Sequence, residues 1–234
     1  MEPIEIPNIE TYIKYVKIRS FSDRRISLYR GQTEDYSLLP SIARNKSAFD
    51  STETEKEMLS ELKRRSQNLN LSFLKDDWDW LVYAQHFGME TRLLDWTSNP
   101  LAALWFACKN EHKLDQNSFV YIFHAKEESL LDRTKDNNPF KPGSTKILKP
   151  PQNNSRIVSQ SGWFTAHNYS KSNTKFVGLE KNKKYKNHIV KLIVPANNKK
   201  KILIELNMLG VSHQSMFPDF EGICRQINWE KLNK

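Results

Sequence analysis

The stretch Thr91-Arg92-Leu93-Leu94-Asp95-Trp96-Thr97-Ser98 leads directly into Asn99-Pro100 and an apolar run from Leu101 to Asn110. Asn followed by Pro is a typical N-cap and first-position pair, so a helix is predicted to begin there. This helix is apolar on nearly every side, and its alanines at positions 102, 103 and 107 allow close approach. We therefore predict that it is buried at the centre of the fold.

A second segment, Leu28-Tyr29-Arg30-Gly31-Gln32, follows an alternating start at Ile26 and predicts a short strand that ends at Gly31. Residues 118–123 and 188–194 are rich in β-branched and aromatic side chains, which predicts two further strands. Amphipathic helices are predicted from apolar stripes at residues 58–69, 78–85, 202–209 and 223–227. These elements predict a single α+β domain over residues 1–234, with a central, mostly antiparallel sheet packed by helices.

In two segments the hydrophobic residues follow neither a helical nor a strand periodicity. Residues 135–154 are rich in Pro, Asn and Lys and predict a long loop. Residues 171–187 form a lysine-rich insertion, and the stretch from Lys171 to Lys201 holds ten lysines against one acid, Glu180. These lysines could contact phosphates, although a solvated loop is the simpler interpretation.

The composition favours an anionic partner. The formal net charge is +9, while 38% of the residues are hydrophobic and 11% aromatic, enough for a folded core. The sequence shows no basic-then-apolar leader and no apolar run of bilayer length. Cys108 and Cys224 have apolar flanks typical of core thiols. We therefore expect a cytoplasmic protein without membrane contact, and a nucleotide, a nucleic acid or an acidic protein surface as partner.

Several chemistries lack their sequence signatures. The histidines have no HxxxH or Cys/His spacing, so no metal site is predicted. The sequence also lacks a Walker loop, a GxGxxG stretch and a GxSxG stretch, which disfavours ATP hydrolysis, a Rossmann cofactor and α/β-hydrolase chemistry.

Two arginines are candidate anion ligands. Arg30 ends a predicted strand beside Gly31, where its planar fork could hold a phosphate or carboxylate, or could pair with an acid such as Asp95. Arg92 could supply a second cation or pair with Asp95 itself. The Thr97 and Ser98 hydroxyls precede the helix at Pro100, so an anion site is also predicted at that helix N-terminus, where Ser98 or Asn99 would otherwise act as the cap.

His86 lies between an amphipathic helix and Gly88. It could reach a cleft as an acid, a base or a hydrogen-bond donor to phosphate, or it could serve a structural role. Trp96, Trp163 and Phe164 could stack on a flat ring or belong to the core. Glu221, in the segment from Phe217 to Gly222, is either catalytic or a first-turn acid of the last helix.

Four blocks carry a family resemblance. They are LYRGQ at 28–32, QHFGMETRLLDWTSNPLAALWFAC at 85–108, RIVSQSGWFTAH at 156–167 and MFPDFEG at 216–222. Their order and spacing resemble the FRG domain family, named for its Phe/Tyr-Arg-Gly motif, from Ser27 to Ile227. Met89-Glu90 departs from the family pattern, in which an aliphatic residue and proline are commoner, and implies altered loop rigidity.

The layout also resembles, more faintly, the Arg-Ser-Glu class of ADP-ribosyltransferases. That resemblance implies that Arg30 grips a phosphate of NAD, Thr97 or Ser98 orients Arg30 and the ribose, and Glu221 acts on the ribose hydroxyl. Gln160 or His86 would position the acceptor. The candidate catalytic residues are Arg30, Thr97, Ser98, Glu221 and His86. The candidate NAD-binding residues are Tyr29, Arg30, Gly31, Gln32, Arg92, Asp95, Trp96, Gln160 and Phe164.

Three functional hypotheses follow. The first is an NAD-dependent ADP-ribosyltransferase that modifies nucleic acid or protein in a toxin or phage-defence setting, where an antitoxin is a further partner. The second is a non-catalytic module that binds nucleic acid or a nucleotide through Arg30, Arg92 and the lysine-rich insertion. The third is a metal-independent nuclease that uses His86 and Arg30, which explains the charge but not the Thr-Ser block.

Overall fold

A computed structural model describes residues 4–20, 25–110, 113–141 and 143–232. Within these ranges, seven strands form one sheet in the order β1-β9-β4-β2-β3-β6-β5. Only the outer pair β1 and β9 runs parallel; the other neighbours are antiparallel. The strands of this sheet are β1 (Ile4–Glu5), β2 (Arg25–Gln32), β3 (Leu93–Thr97), β4 (Ser118–Lys126), β5 (Lys146–Leu148), β6 (Gly162–Ala166) and β9 (Ile189–Val194). A separate hairpin pairs β7 (Tyr169–Ser170) with β8 (Lys175–Phe176).

Helices pack on the sheet, so the predicted α+β class with a mostly antiparallel sheet is confirmed. The helices are α1 (Ile9–Ser20), α2 (Ser41–Arg44), α3 (Thr52–Arg65), α4 (Asp77–His86), α5 (Pro100–Cys108), α6 (Ser155–Ser159), α7 (Lys199–Met208), α8 (His213–Met216) and α9 (Phe220–Leu232). No helix in the described ranges has the length and apolar character needed to cross a bilayer.

Helix α5 lies in the core, as its sequence predicted. Asn99 caps it, because its side-chain oxygen accepts hydrogen bonds from Leu101 N at 3.0 Å and Ala102 N at 3.3 Å. The helix rests directly on β2 at Gly31, where an added Cβ would lie 1.9 Å from the Ala103 carbonyl oxygen. Gly31 is therefore required by close packing of strand on helix, rather than by an unusual backbone angle.

The Gly31→Ala variant should consequently be destabilised. The obstructing atoms belong to the α5 backbone, so the clash cannot be relieved by a side-chain rotation. Overpacking in a dense core typically costs about 1–3 kcal/mol, and a contact this short should lie at the upper end. Chemical denaturation can measure the loss, with Gly143→Ala as a matched control because open space surrounds that glycine. Equal midpoints for both variants would contradict this account.

The sheet opens beside Arg30. Strand β2 pairs with β4 along its whole length but meets β3 at a single residue pair, Tyr29 and Thr97. Strand β3 pairs instead with β6 from Leu93 to Thr97. Because β2 and β3 form no further pairs beyond Tyr29 and Thr97, a cleft is left between the two strands, and Arg30 and Gly31 of β2 line it.

Some details of the helix and loop predictions are wrong. Cys108 is buried, but Cys224 is exposed and free. Leu69 and Leu209 lie outside their helices and are exposed, and in α9 the buried residues are Gly222 and Gln226 rather than the predicted isoleucines. The predicted loop at 135–154 contains an edge strand, β5, which pairs with β6. The hydrophobic periodicity alone did not show which face of each helix packs against another element.

The lysine-rich insertion at 171–187 is attached to the core. Leu179 and Tyr185 are buried against the same sheet face as Leu28 and Phe123. Glu180 accepts hydrogen bonds from the Ser37 hydroxyl at 2.5 Å and from Leu38 N at 3.0 Å. The lysines at 181, 183, 184 and 186 are exposed on this anchored segment. A solvated loop therefore describes its charged side chains but not its apolar ones.

Candidate functional site

A cavity lies where β2 and β3 separate. Its volume is about 230 Å³. Strands β2 and β3 provide most of its walls, and α5 and the segment after α6 complete them. The lining residues are Tyr29, Arg30, Gly31, Asp95, Trp96, Thr97, Phe106 and Gln160. Seven of these eight belong to the blocks LYRGQ, DWT and SQSG, and we call this cavity the main chamber.

Arg30 is the cation of the main chamber, and its side chain is 15% exposed. Its Nη1 donates to the Asp95 carbonyl oxygen at 2.7 Å and lies 3.5 Å from Asp95 Oδ2. The Gln32 amide is satisfied when its nitrogen donates to Tyr36 O. In that orientation the Gln32 side-chain oxygen accepts from Arg30 Nε at 3.1 Å. Burial lowers the pKa of Arg30, and the nearby Asp95 opposes that shift. The third nitrogen, Nη2, makes no hydrogen bond to any residue in the described ranges.

Asp95 is the one carboxylate among the described residues that line this cleft. Its side chain is 62% exposed. One oxygen, Oδ1, accepts from Gln85 Nε2 at 2.7 Å, while Oδ2 faces Arg30. Gln85 is itself held by the buried Thr91, whose hydroxyl donates to Gln85 Oε1. The predicted pairing of Arg30 with Asp95 is therefore present, but at a solvent-accessible acid rather than a buried one.

A second, smaller chamber of about 60 Å³ adjoins the first and shares Asp95, Trp96 and Gln160 with it. Its other walls include Gln85 and His86 from α4 and Trp163 and Phe164 from β6. Burial is the main cause that lowers the pKa of His86, and the charge of Arg156 acts in the same direction. His86 is therefore a neutral imidazole at neutral pH, facing a chamber continuous with Arg30.

Thr97 and Gln160 hold the chamber wall together. The Thr97 hydroxyl donates to the Gln160 carbonyl oxygen at 2.6 Å and accepts from Asn99 N at 2.9 Å. Gln160 Nε2 donates to the Met216 carbonyl oxygen at 3.0 Å. The Thr97 hydroxyl already forms hydrogen bonds with two backbone groups. Its main role is therefore to fix the end of β3, rather than to contact a ligand.

A buried hydrogen-bond chain lies behind Trp96. The Trp96 indole N–H donates to Thr165 Oγ1 at 3.0 Å, and that hydroxyl lies 3.0 Å from His167 Nε2. The Thr165 hydroxyl accepts from the indole and keeps its hydrogen to donate to Nε2 when His167 is neutral. Burial lowers the pKa of His167 to about 3, with the Arg30 charge acting in the same direction and a backbone hydrogen bond opposing.

Stability should consequently fall as the medium is acidified. In the unfolded chain His167 takes up a proton near its ordinary pKa of about 6.5, but in the fold it stays neutral to about 3. The unfolded state therefore binds more protons between those pH values, and stability decreases by the order of a few kcal/mol as pH falls from about 6.5 towards 3. Urea denaturation between pH 7.5 and 4 should give a shallower pH dependence for His167→Gln. Parallel curves for the two proteins would contradict this assignment.

Arg92 does not reach the cleft, so the predicted pairing with Asp95 is wrong. Its side chain is 1% exposed and forms an ion pair with the fully buried Glu55, with Nε and Oε2 2.7 Å apart. Its Nη1 donates to Pro139 O at 2.9 Å and Asn168 Oδ1 at 2.7 Å, and its guanidinium lies over the Phe140 ring. These contacts occupy Arg92 in the core, which leaves Arg30 as the cleft arginine.

Two further candidates lie apart from both chambers. Ser98 is exposed, and its hydroxyl has only a 3.5 Å contact with the Ser161 carbonyl oxygen. Glu221 lies in the first turn of α9, where it pairs with Arg225 at 2.6 Å and lies 3.9 Å from Arg156. Neither residue is among those that line the main or second chamber. The structure therefore brings Arg30, Asp95, Thr97, Gln160 and His86 together, but not Ser98 or Glu221.

The anion site predicted at the α5 N-terminus stays a prediction, and part of that helix end is already capped by Asn99. Asn99 Oδ1 occupies the first free backbone N–H groups of the helix. The helix side chain that lines the cleft is Phe106, more than a turn beyond the cap. Phe106 and Gln85 were missed as site residues, because each lies on a helix whose apolar pattern is also that of an ordinary core face. Within the described residues, no group of three acids, histidines or cysteines could hold a metal ion.

The fold and cleft define an α+β domain whose sheet opens around an arginine into a partly aromatic cavity. Residues 25–116 match the family model of the FRG domain, and this range includes Arg30, Gln85, Asp95 and Phe106. The family resemblance drawn from LYRGQ and TRLLDWT is thereby confirmed over that range. Searches of curated proteins and of solved structures found no match.

Proposed function

We propose that this cleft binds NAD and that the protein transfers ADP-ribose from it to a nucleic acid or protein acceptor. The observation that carries the proposal is Arg30. Its guanidinium is fixed on two nitrogens, keeps Nη2 available, and faces a cavity whose walls include Phe106 and Trp96. A fixed planar cation beside flat apolar walls suits a ligand that has both a phosphate and an aromatic ring.

The size of the cavity suggests how the ligand would be held. Its volume of about 230 Å³ is near the lower end of small-molecule pockets, which span about 300–1,000 Å³. The nicotinamide riboside half would enter the main chamber, with the adjoining phosphate at Arg30 and the adenosine half outside. Arg30 stays charged at physiological pH, since an ordinary arginine loses its proton only far above neutrality and Asp95 offsets part of the lowering of its pKa by burial.

The transfer reaction follows from this placement. The bond between ribose C1′ and the nicotinamide nitrogen breaks, and its electron pair leaves with nicotinamide. An acceptor hydroxyl or amine attacks C1′ and loses its proton to a base. His86 is neutral and faces the second chamber, so it is the residue proposed to take that proton.

A non-catalytic nucleotide- or nucleic-acid-binding module is the second candidate. The observation that favours it is the anchored insertion, whose exposed lysines stand on a segment fixed by Leu179, Tyr185 and Glu180. A fixed row of lysines neutralises phosphates without ordering a flexible loop first.

Incubation with NAD labelled on the adenine side separates these two functions. Released nicotinamide together with label on RNA, DNA or protein from a lysate supports the transferase, and growth arrest on expression would suit the toxin or phage-defence setting. Absence of turnover with RNA binding unchanged in Arg30→Ala would rule the transferase out and leave the binding module.

A further inference from the structure

Resting on the proposed function, we propose that Asp95 is the catalytic carboxylate of this cleft and that Gln85 is its positioning residue. Glycosyl transfer develops positive charge at ribose C1′ and its ring oxygen as nicotinamide leaves. A carboxylate fixed beside that carbon stabilises the charge, so an acid in the cavity would accelerate the reaction. Among the described residues that line the two chambers, Asp95 is the acid present.

The position of Asp95 suits both halves of the reaction. It lines the main chamber with Arg30 and the second chamber with His86, so it lies at their junction. A donor ribose in the first chamber and an acceptor group in the second would meet beside it. Glu221, by contrast, is paired with Arg225 in α9 and lines neither chamber.

The contacts of Asp95 keep its carboxylate oriented. Gln85 Nε2 donates a hydrogen bond to Asp95 Oδ1 at 2.7 Å. The hydroxyl of the buried Thr91 donates in turn to Gln85 Oε1. The Oδ2 atom is only loosely engaged, since Arg30 Nη1 lies 3.5 Å away. When a ligand phosphate binds Arg30, Oδ2 becomes the oxygen that faces the ribose, while Oδ1 stays on Gln85.

A simple structural role makes a different prediction. If Asp95 served only to hold Arg30 in place, its loss would weaken NAD binding, and turnover at saturating NAD would change little. If it stabilises the transition state, binding remains and the rate constant kcat falls. The separation of kcat from ligand affinity therefore distinguishes the two roles.

The test uses the nearly isosteric variant Asp95→Asn, with binding of ADP-ribose measured by calorimetry and nicotinamide release by labelled NAD. We expect kcat to fall by about 100-fold or more, the usual effect of removing one preorganised electrostatic group, while the Kd for ADP-ribose stays within about threefold. Gln85→Met should lower kcat by about tenfold with similar affinity. The variant Glu57→Gln neutralises an exposed acid of α3 that lines neither chamber and serves as the matched surface control.

Each outcome is decisive. Wild-type turnover together with retained kcat in Asp95→Asn would overturn the role of Asp95 and leave the proposed function intact. A loss of affinity for ADP-ribose with kcat little changed would assign Asp95 to holding Arg30 and would also overturn the inference. Wild-type protein that binds no ADP-ribose and releases no nicotinamide would instead overturn the proposed function, and the inference with it.

Discussion

Arg92→Ala should be the most destabilising of the substitutions considered, with a loss of about 3–5 kcal/mol in the free energy of unfolding. The variant leaves Glu55, which is fully buried, without its cationic partner. It also removes the hydrogen bonds to Pro139 and Asn168. A loss of this size is a large part of the total stability of a typical domain, about 5–15 kcal/mol, so the variant should unfold at much lower urea concentration.

The pH dependence of that loss identifies its cause. Burial already raises the pKa of Glu55 in the native protein, and Arg92 opposes that shift. Without Arg92 the folded-state pKa rises further above its unfolded value, so the fold binds the extra proton. Stability is then lost as pH rises above the unfolded value, and Arg92→Ala should be less destabilised at pH 5 than at pH 8.

Two controls bracket this result. Arg64→Ala removes an exposed ion pair with Glu61 and should leave the unfolding midpoint close to that of wild type. The double variant Glu55→Leu with Arg92→Met removes the orphaned charge and should be more stable than Arg92→Met alone. If the double variant were the less stable of the two, the loss would come from packing rather than from the buried charge.

Arg30→Ala should remain folded but bind ADP-ribose about 10- to 100-fold more weakly. A hydrogen bond to a charged group contributes about 1.5–3 kcal/mol, and tenfold in affinity corresponds to about 1.4 kcal/mol. The partners that Arg30 leaves behind in the fold are the carbonyl oxygen of Asp95, which lines the cleft, and the buried Gln32, which keeps its hydrogen bond to Tyr36 O. Calorimetric titration with ADP-ribose measures the affinity, and a thermal melt checks the fold.

Arg30→Lys separates charge from shape. Lysine keeps the positive charge but loses the planar fork, so we expect it to recover only part of the affinity lost in Arg30→Ala. The double variant Lys183→Ala with Lys184→Ala is the control for non-specific attraction and should bind ADP-ribose as wild type does. If that control lost the binding and Arg30→Ala kept it, the anion site would lie on the lysine-rich insertion instead.

Much of the fold was predictable because its signals are local. The Asn99 cap, the apolar character of α5 and the strand content of β4 and β9 each depend on residues close together in the chain, and all three are confirmed. The exposed face of α9 and the buried anchors of the insertion were not predictable. They depend on which distant elements pack against each segment. The hydrophobic pattern of one segment does not identify the element that packs against it.

For the candidate site, the sequence by itself determined the FRG match over residues 25–116 and the blocks from which the cleft is built, since a motif is a property of neighbouring residues. Only the tertiary structure decided which arginine faces the cavity. Arg30 and Arg92 are chemically identical and belong to equally conspicuous blocks, yet one keeps a free nitrogen in the cleft and the other is paired with Glu55 in the core. The reason is physical: burial and charge pairing are set by residues far apart in the chain, which meet only when the sheet and its helices pack.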